Sequence, residues 1–469
     1  MKKAMFTYAF AKYSTVIIGL LINAVLSRIL LPEDYGIVAV VTVFTTFFNV
    51  ISTMGLGTGL IQDKDLTEVD TDNIYSLSVW IALVLSVFFF ACAPLIAFFY
   101  GDKRYILIVR ILSISVFLNA INVIPNSILL KEEKFEKVAV RMIVASCISG
   151  GTAIVVALNQ GGYYALVVQT ILSIAIQFVW NRTSVKLHFH LMVDFSSIMK
   201  IANYSFFQFA YSILLYFSQN LDNLLTGKVM GSEQLAYYNK SYTVMRYPID
   251  YIPHAISPVL HPMLSKYQND YDYIYKKYIE IIRVMSLIGG LISLIFFWEA
   301  PEIVMILFGA QWEQSIISFR IFGLGIWVQL INALAGSIYQ STNNTKNMFY
   351  SGLIHVFVTL VAIIAGIWSN DINRLAIYIV LSWYAKFVVE TYFLIVRSLK
   401  KSALGYLKIF LPDFLIFLIT GILFALLRRW INFNEFLNLI VKTIMIFWIF
   451  AICCLCFGKN KYMKNKHEL

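Results

Sequence analysis

Apolar residues run along this chain in blocks of about 20, each closed by a short polar stretch, from Ala9 to Phe457. Blocks of that length cross a bilayer as helices, and the pattern predicts about 14 of them. In the first half they are Ala9–Leu31, Gly36–Ile61, Ile74–Phe99, Tyr105–Leu130, Val138–Leu158 and Gly162–Asn181. After a polar link come Ile201–Thr226, Leu235–Leu264, Tyr278–Trp298, Ser315–Ser341, Met348–Trp368, Leu375–Val396, Ile409–Leu427 and Phe436–Phe457. The pattern is least regular between Tyr216 and Lys266. There a polar cluster, Gln219-Asn220-Leu221-Asp222-Asn223, precedes a turn at Gly227–Gly231. The eighth run then carries Lys240 and Arg246 and is interrupted by Pro248, Pro253, Pro258 and Pro262. Ionisable residues at membrane depth are costly and face a cavity or a partner, so this hairpin is the expected working part.

The link Arg182–Lys200 divides the spans into an N-terminal six-helix lobe (1–187), a second six-helix lobe (188–400) and a terminal helix pair with a basic tail (401–469). A weak internal repeat supports the division. Shifted by about 200 positions, Arg28-Ile-Leu-Leu-Pro-Glu33 lies over Lys228-Val-Met-Gly-Ser-Glu233. Shifted by about 210, Arg110, Asn122 and Ser127 lie over Arg320, Asn332 and Ser337. Repeats of six spans keep the same orientation, so the lobes are expected to be parallel, with the site between them.

Composition agrees with this reading. The chain is 59% hydrophobic and 13% charged, with mean hydropathy +0.75, where a soluble protein carries about 25% charged residues. Its net charge of +11 suggests nucleic acid, but the placement of the charges excludes that. With the N-terminus in the cytoplasm, about 24 of the 37 basic residues fall in inner loops. Both termini are therefore expected on the cytoplasmic side. Lys2 and Lys3 before the first run predict a retained helix rather than a removed signal. Cys92, Cys147, Cys453, Cys454 and Cys456 all lie in apolar runs and are read as packing residues, with no metal site expected. His188 and His190, in the link, are read as solvated.

The candidate chemistry lies in the intramembrane charges. Arg28, Lys228 and Lys442 lie near span ends, where they can reach water. Lys386 has Glu390 at i+4, the spacing of a structural pair. Arg110 and Arg320 lie more than a turn inside corresponding helices, and Arg246 lies near mid-membrane. Several cations in one cavity imply an anionic substrate, and guanidinium groups bind phosphate bidentately. Arg246, Lys240, Arg110, Arg320, Arg28, Asn220 and Asn223 form the expected diphosphate and sugar site. Asp222 is either the carboxyl that couples transport to a proton or sodium gradient or a structural partner of Lys240. Pro248, Pro253, Pro258 and Pro262 are the expected hinge, with static kinks as the alternative. Tyrosines crowd the same hairpin (Tyr211, Tyr216, Tyr237, Tyr238, Tyr242, Tyr247, Tyr251), either as interfacial anchors or stacked on sugars. There is no phosphate-cradling glycine loop, paired-histidine metal motif or nucleophile elbow, so the chain is not read as an enzyme.

Several stretches together resemble the polysaccharide transporter (Wzx-like flippase) branch of the multidrug/oligosaccharidyl-lipid/polysaccharide exporter superfamily. They are Ser27-Arg-Ile-Leu-Leu-Pro-Glu-Asp-Tyr-Gly36, Gly55-Leu-Gly-Thr-Gly-Leu-Ile-Gln62 and Asn220-Leu-Asp-Asn-Leu-Leu-Thr-Gly-Lys228. Tyr237-Tyr-Asn-Lys-Ser241, Pro258-Val-Leu-His-Pro262 and Leu307-Phe-Gly-Ala-Gln-Trp312 follow in order. Leu235-Ala236, where a Gly often precedes the Tyr, and the acidic stretch Asp63 to Asp72 depart from the pattern. The resemblance implies an all-α fold with the two lobes in a V. It also implies alternating access that carries an undecaprenyl-diphosphate-linked oligosaccharide across the bacterial cytoplasmic membrane. The product would be capsule, exopolysaccharide, wall polymer or O-antigen. A polysaccharide polymerase and other export proteins are the implied partners. A drug or cation exporter of the same superfamily is the alternative, although it would favour acids over cations in its cavity. A membrane glycosyltransferase or polymerase needs larger outer loops than Glu299–Gln314, the longest here at about 16 residues.

Overall fold

The computed structural model describes residues 2–53, 56–57, 60, 66–192, 194, 209, 213, 216–217, 219–265, 267–431 and 433–462. Side chains at 2–6, 9, 254–259, 261–262 and 457–462 are outside that description. Helix dominates, and among the described residues there is no strand. Twelve described helices are long and apolar enough to cross a membrane, close to the number the hydropathy pattern predicts. The seventh predicted span, Ile201–Thr226, lies largely outside the described residues. The eighth is α7 (Ser232–Ser265), a single 34-residue helix that composition does not place among the twelve. Its prolines do not break it. Freed carbonyls in a membrane helix are satisfied by neighbours or by small local adjustments, so proline interrupts the pattern more than the helix.

By packing, the chain divides into two compact units, Met1–Ala236 and Tyr237–Leu469, with the division inside α7. The first unit holds α1 (Lys2–Ile29), α2 (Pro32–Thr53), α3 (Glu68–Tyr100), α4 (Arg104–Lys131), α5 (Phe135–Leu158) and α6 (Tyr164–Ser184). Its main core joins α2, α3 and α4 through Val41, Phe48, Phe89, Ala93, Ile108 and Leu112, with Leu235 from the start of α7. A capping box at Thr67 and Asp70 starts α3. Asp72, one turn into α3, accepts from the backbone N–H of His188 at 2.9 Å and tethers the link after α6.

Small residues set the close approaches, as expected where lipid supplies no hydrophobic drive between helices. A Cβ on Gly36 in α2 would lie 1.8 Å from the Ser232 carbonyl oxygen at the start of α7. Backbone cannot yield there. Gly36→Ala is expected to destabilise the protein by roughly 1–3 kcal/mol, whereas Gly352→Ala, in open space, is expected to be neutral or stabilising by up to about 1 kcal/mol. Thermal unfolding of the two purified variants checks this, and equal midpoints would refute it.

In the second unit α8 (Tyr271–Trp298) leads into the short α9 (Ala300–Leu307), then α10 (Ser315–Asn332) and α11 (Ala335–Ser341). Next come α12 (Thr345–Trp368) and α13 (Ile372–Glu390), the latter continued by a π-helical stretch Thr391–Ser398. The terminal helices are α14 (Ala403–Ile409), α15 (Leu411–Leu427) and α16 (Glu435–Tyr462). Ile416, Phe450 and Cys453 of the terminal helices cluster against Leu287, Leu291 and Leu294 of α8. The Phe417 ring seats where α8 has only a hydrogen, at Gly290.

Candidate functional site

The hairpin contributes one half to each unit. In the first unit, residues 219–229 are helical, with Asp222 and Asn223 buried. The Asp222 carboxylate accepts from the Asn223 backbone N–H at 2.8 Å, and the Asn220 amide donates to the Tyr216 carbonyl at 2.9 Å. Tyr216 Oη donates to the Val43 carbonyl (2.7 Å) and Tyr100 Oη to the Leu224 carbonyl (3.1 Å), which holds the segment against α2 and α3. Between these elements lies a cavity of about 450 Å³, walled mainly by Phe44, Phe47, Phe48, Phe99, Tyr216 and Phe217. The exposed Lys228 ammonium lies 4.8 Å from the centre of the ring of Phe99, one of the cavity's walls, and donates to the Phe99 carbonyl. An apolar cavity with a cation beside one of its walls suits an amphipathic anion.

In the second unit, α7 presents Lys240 and Arg246. Only 5% of Lys240 is exposed, and its ammonium lies over the rings of Phe308 (4.7 Å) and Trp312 (4.6 Å). Arg246 donates to both oxygens of Asp250, at 3.2 and 3.3 Å, across one helical turn. A wet cavity is therefore not needed to account for Arg246, because a carboxylate sits four residues on. Tyr238 stacks on Tyr242 at 6.0 Å, and both pack edge-on to Phe322. Tyr237 and Tyr238 are buried, so these two tyrosines belong to the core rather than to a sugar platform; Tyr211 is outside the described residues.

The remaining predicted cations each have surroundings of their own. Arg28 ends α1, exposed. Arg110 is also exposed, with its guanidinium 5.0 Å from the Phe90 ring centre. Arg320, half-buried, donates to the Phe297 carbonyl at 3.1 Å. Lys442 pairs with Glu302. Glu390 accepts from Tyr339 Oη at 2.8 Å, and its charge acts on Lys386 one turn back without a direct salt bridge between them. Pro248 and Pro253 lie in α7 without ending it, and the side chains of Pro258 and Pro262 are outside the description.

One buried cation was not among the predicted set. Arg141, 4% exposed in α5, donates through Nη1 to the Asn126 and Asn181 side-chain oxygens at 2.9 and 2.5 Å. Asn181 in turn donates to Asn122 at 2.8 Å. The signal was present in the sequence, an arginine inside the fifth apolar run. Its two asparagine partners, and Asn122 behind Asn181, come from α4 and α6, and only the fold brings them together.

Residues 25–317 match the family model described as polysaccharide biosynthesis protein. The chain is similar to the teichuronic acid biosynthesis protein TuaB of Bacillus subtilis (strain 168), 23% identical over 390 residues, covering 81% of this chain and 79% of that protein. It is also similar to the lipopolysaccharide biosynthesis protein WzxC of Escherichia coli (strain K12), 24% identical over 382 residues, covering 77% and 75%. Among solved structures, the lipid II flippase MurJ in an inward closed conformation superposes with a TM-score of 0.76 at 15% identity. That match covers 97% of this chain and 99% of the other, and establishes a shared fold.

Proposed function

Because the chain belongs to the polysaccharide biosynthesis protein family, we propose that it is a flippase for a lipid-linked oligosaccharide. It moves an undecaprenyl-diphosphate-linked oligosaccharide from the inner to the outer leaflet of the cytoplasmic membrane, for assembly of a surface polysaccharide. It carries out no bond chemistry of its own, and both termini are cytoplasmic. The observation that carries this reading is the family match in a chain whose fold is, end to end, that of a lipid II flippase.

The site residues extend the reading. Arg246, half-exposed on α7, is the proposed diphosphate contact, and the aromatic cavity of the first unit takes isoprenoid chain. Asp222, buried beside Asn223, is the proposed coupling carboxyl for a proton or sodium gradient. In vesicles holding the purified protein, a fluorescent lipid-linked oligosaccharide is expected to change leaflet faster than in protein-free vesicles, and faster still under an ion gradient. Asp222→Asn is expected to remove the gradient's stimulation while the protein stays folded. Folded protein that exports an organic cation and flips no lipid would favour the drug-exporter reading instead.

A further inference from the structure

Glu299 stands immediately after α8, outside the spanning segment Tyr271–Trp298. It is 1% exposed, and its Oε2 is buried with no hydrogen-bond partner. A buried carboxylate oxygen without a donor is costly; the same oxygen carrying a proton is far less so. The groups facing it come from every element packed there. Glu302, on α9, is held by Lys442 of α16. Arg428, in the turn after α15, lies 4.6 Å from the centre of the Trp298 ring. The cluster therefore holds one formed ion pair and a second carboxyl for which no donor is arranged.

We propose that Glu299 is a proton-binding site that controls the contact between α9 and the terminal helix α16. With the proton on, Glu302 keeps Lys442 and the contact is closed. With the proton lost, two carboxylates compete for one ammonium and the Glu302–Lys442 pair loosens. Burial, then the Glu302 charge, push the Glu299 carboxyl up from 4.5 to about 7, against the opposing pull of Lys442 and Arg428. The switch thus lies at neutral pH. None of this depends on the transported molecule.

The test uses full-length purified protein in detergent. The folded state holds a proton that the unfolded state has released between pH 4.5 and about 7, so thermal stability is expected to fall as pH rises through that window. Glu299→Gln is expected to flatten that slope. In the infrared difference between the parent protein and this variant, a protonated-carboxyl band is expected to vanish with a midpoint near pH 7. Lys442→Met removes the opposing charge and is expected to move the midpoint upward, which keeps the test open if Glu299→Gln fails to fold. Exchanging sodium for potassium is expected to change nothing. A midpoint in the ordinary carboxylate range, an unflattened slope in folded Glu299→Gln, or a sodium-dependent midpoint would overturn the proposal.

Discussion

Arg246→Ala is expected to abolish translocation of lipid-linked oligosaccharide while the protein remains at parental abundance in the membrane. The two halves of that expectation have different causes. The Arg246–Asp250 pair spans one turn of α7, with side chains 35% and 42% exposed. Pairs of that kind stabilise a helix by about 0.3–0.5 kcal/mol, so losing this one leaves the fold intact. A guanidinium on a diphosphate is a different matter. Each hydrogen bond to a charged group contributes about 1.5–3 kcal/mol, and loss of a bidentate contact costs roughly 100-fold or more in binding. Arg246→Lys keeps the charge and loses the fork, so it is expected to fall between the two. Asp250→Asn leaves the guanidinium in place and is expected to retain transport. Vesicle translocation set beside membrane abundance reads both halves. Full transport by the alanine variant would remove Arg246 from the site.

Asp250 also shows how unevenly the sequence disclosed this site. Four residues after Arg246 on the same helical face, it was legible from spacing alone, by the same rule that paired Lys386 with Glu390. The first forms a direct ion pair; in the second the Glu390 charge still acts on Lys386, while its hydrogen bond comes from Tyr339, 51 residues away. Spacing states which groups can meet; competing partners from other helices decide which do. The Glu302–Lys442 pair, 140 residues apart, and the asparagine shell of Arg141 carry no local signature at all. The spanning helices were legible because each needs only about 20 apolar residues in sequence, whatever lies beside it. The prolines of α7 carried a signal of a different kind. They were read as a hinge or as static kinks, and the helix that carries them is continuous from Ser232 to Ser265, which either reading allows.

Lys240→Glu is expected to leave little folded protein, the largest stability effect of any substitution on α7. Lys240 was read as a substrate contact, yet its ammonium is enclosed by Phe308 and Trp312. A cation over two aromatic faces gains about 2 kcal/mol or more when desolvated. A carboxylate at the same point meets the negative face of both rings, and a buried charge without compensation costs about 3–5 kcal/mol. Against a total stability of about 5–15 kcal/mol, that is enough to deplete the folded state. Lys240→Met keeps the length of the stem, removes the charge and sets a thioether against the rings, a favourable contact of about 0.3–1.5 kcal/mol. It is expected to fold, and to translocate, because a side chain so enclosed is poorly placed to hold a passing diphosphate. Abundance and thermal unfolding test the glutamate variant, and transport tests the methionine variant. A well-folded glutamate variant would refute the aromatic enclosure. A folded methionine variant that does not translocate would return Lys240 to the substrate site.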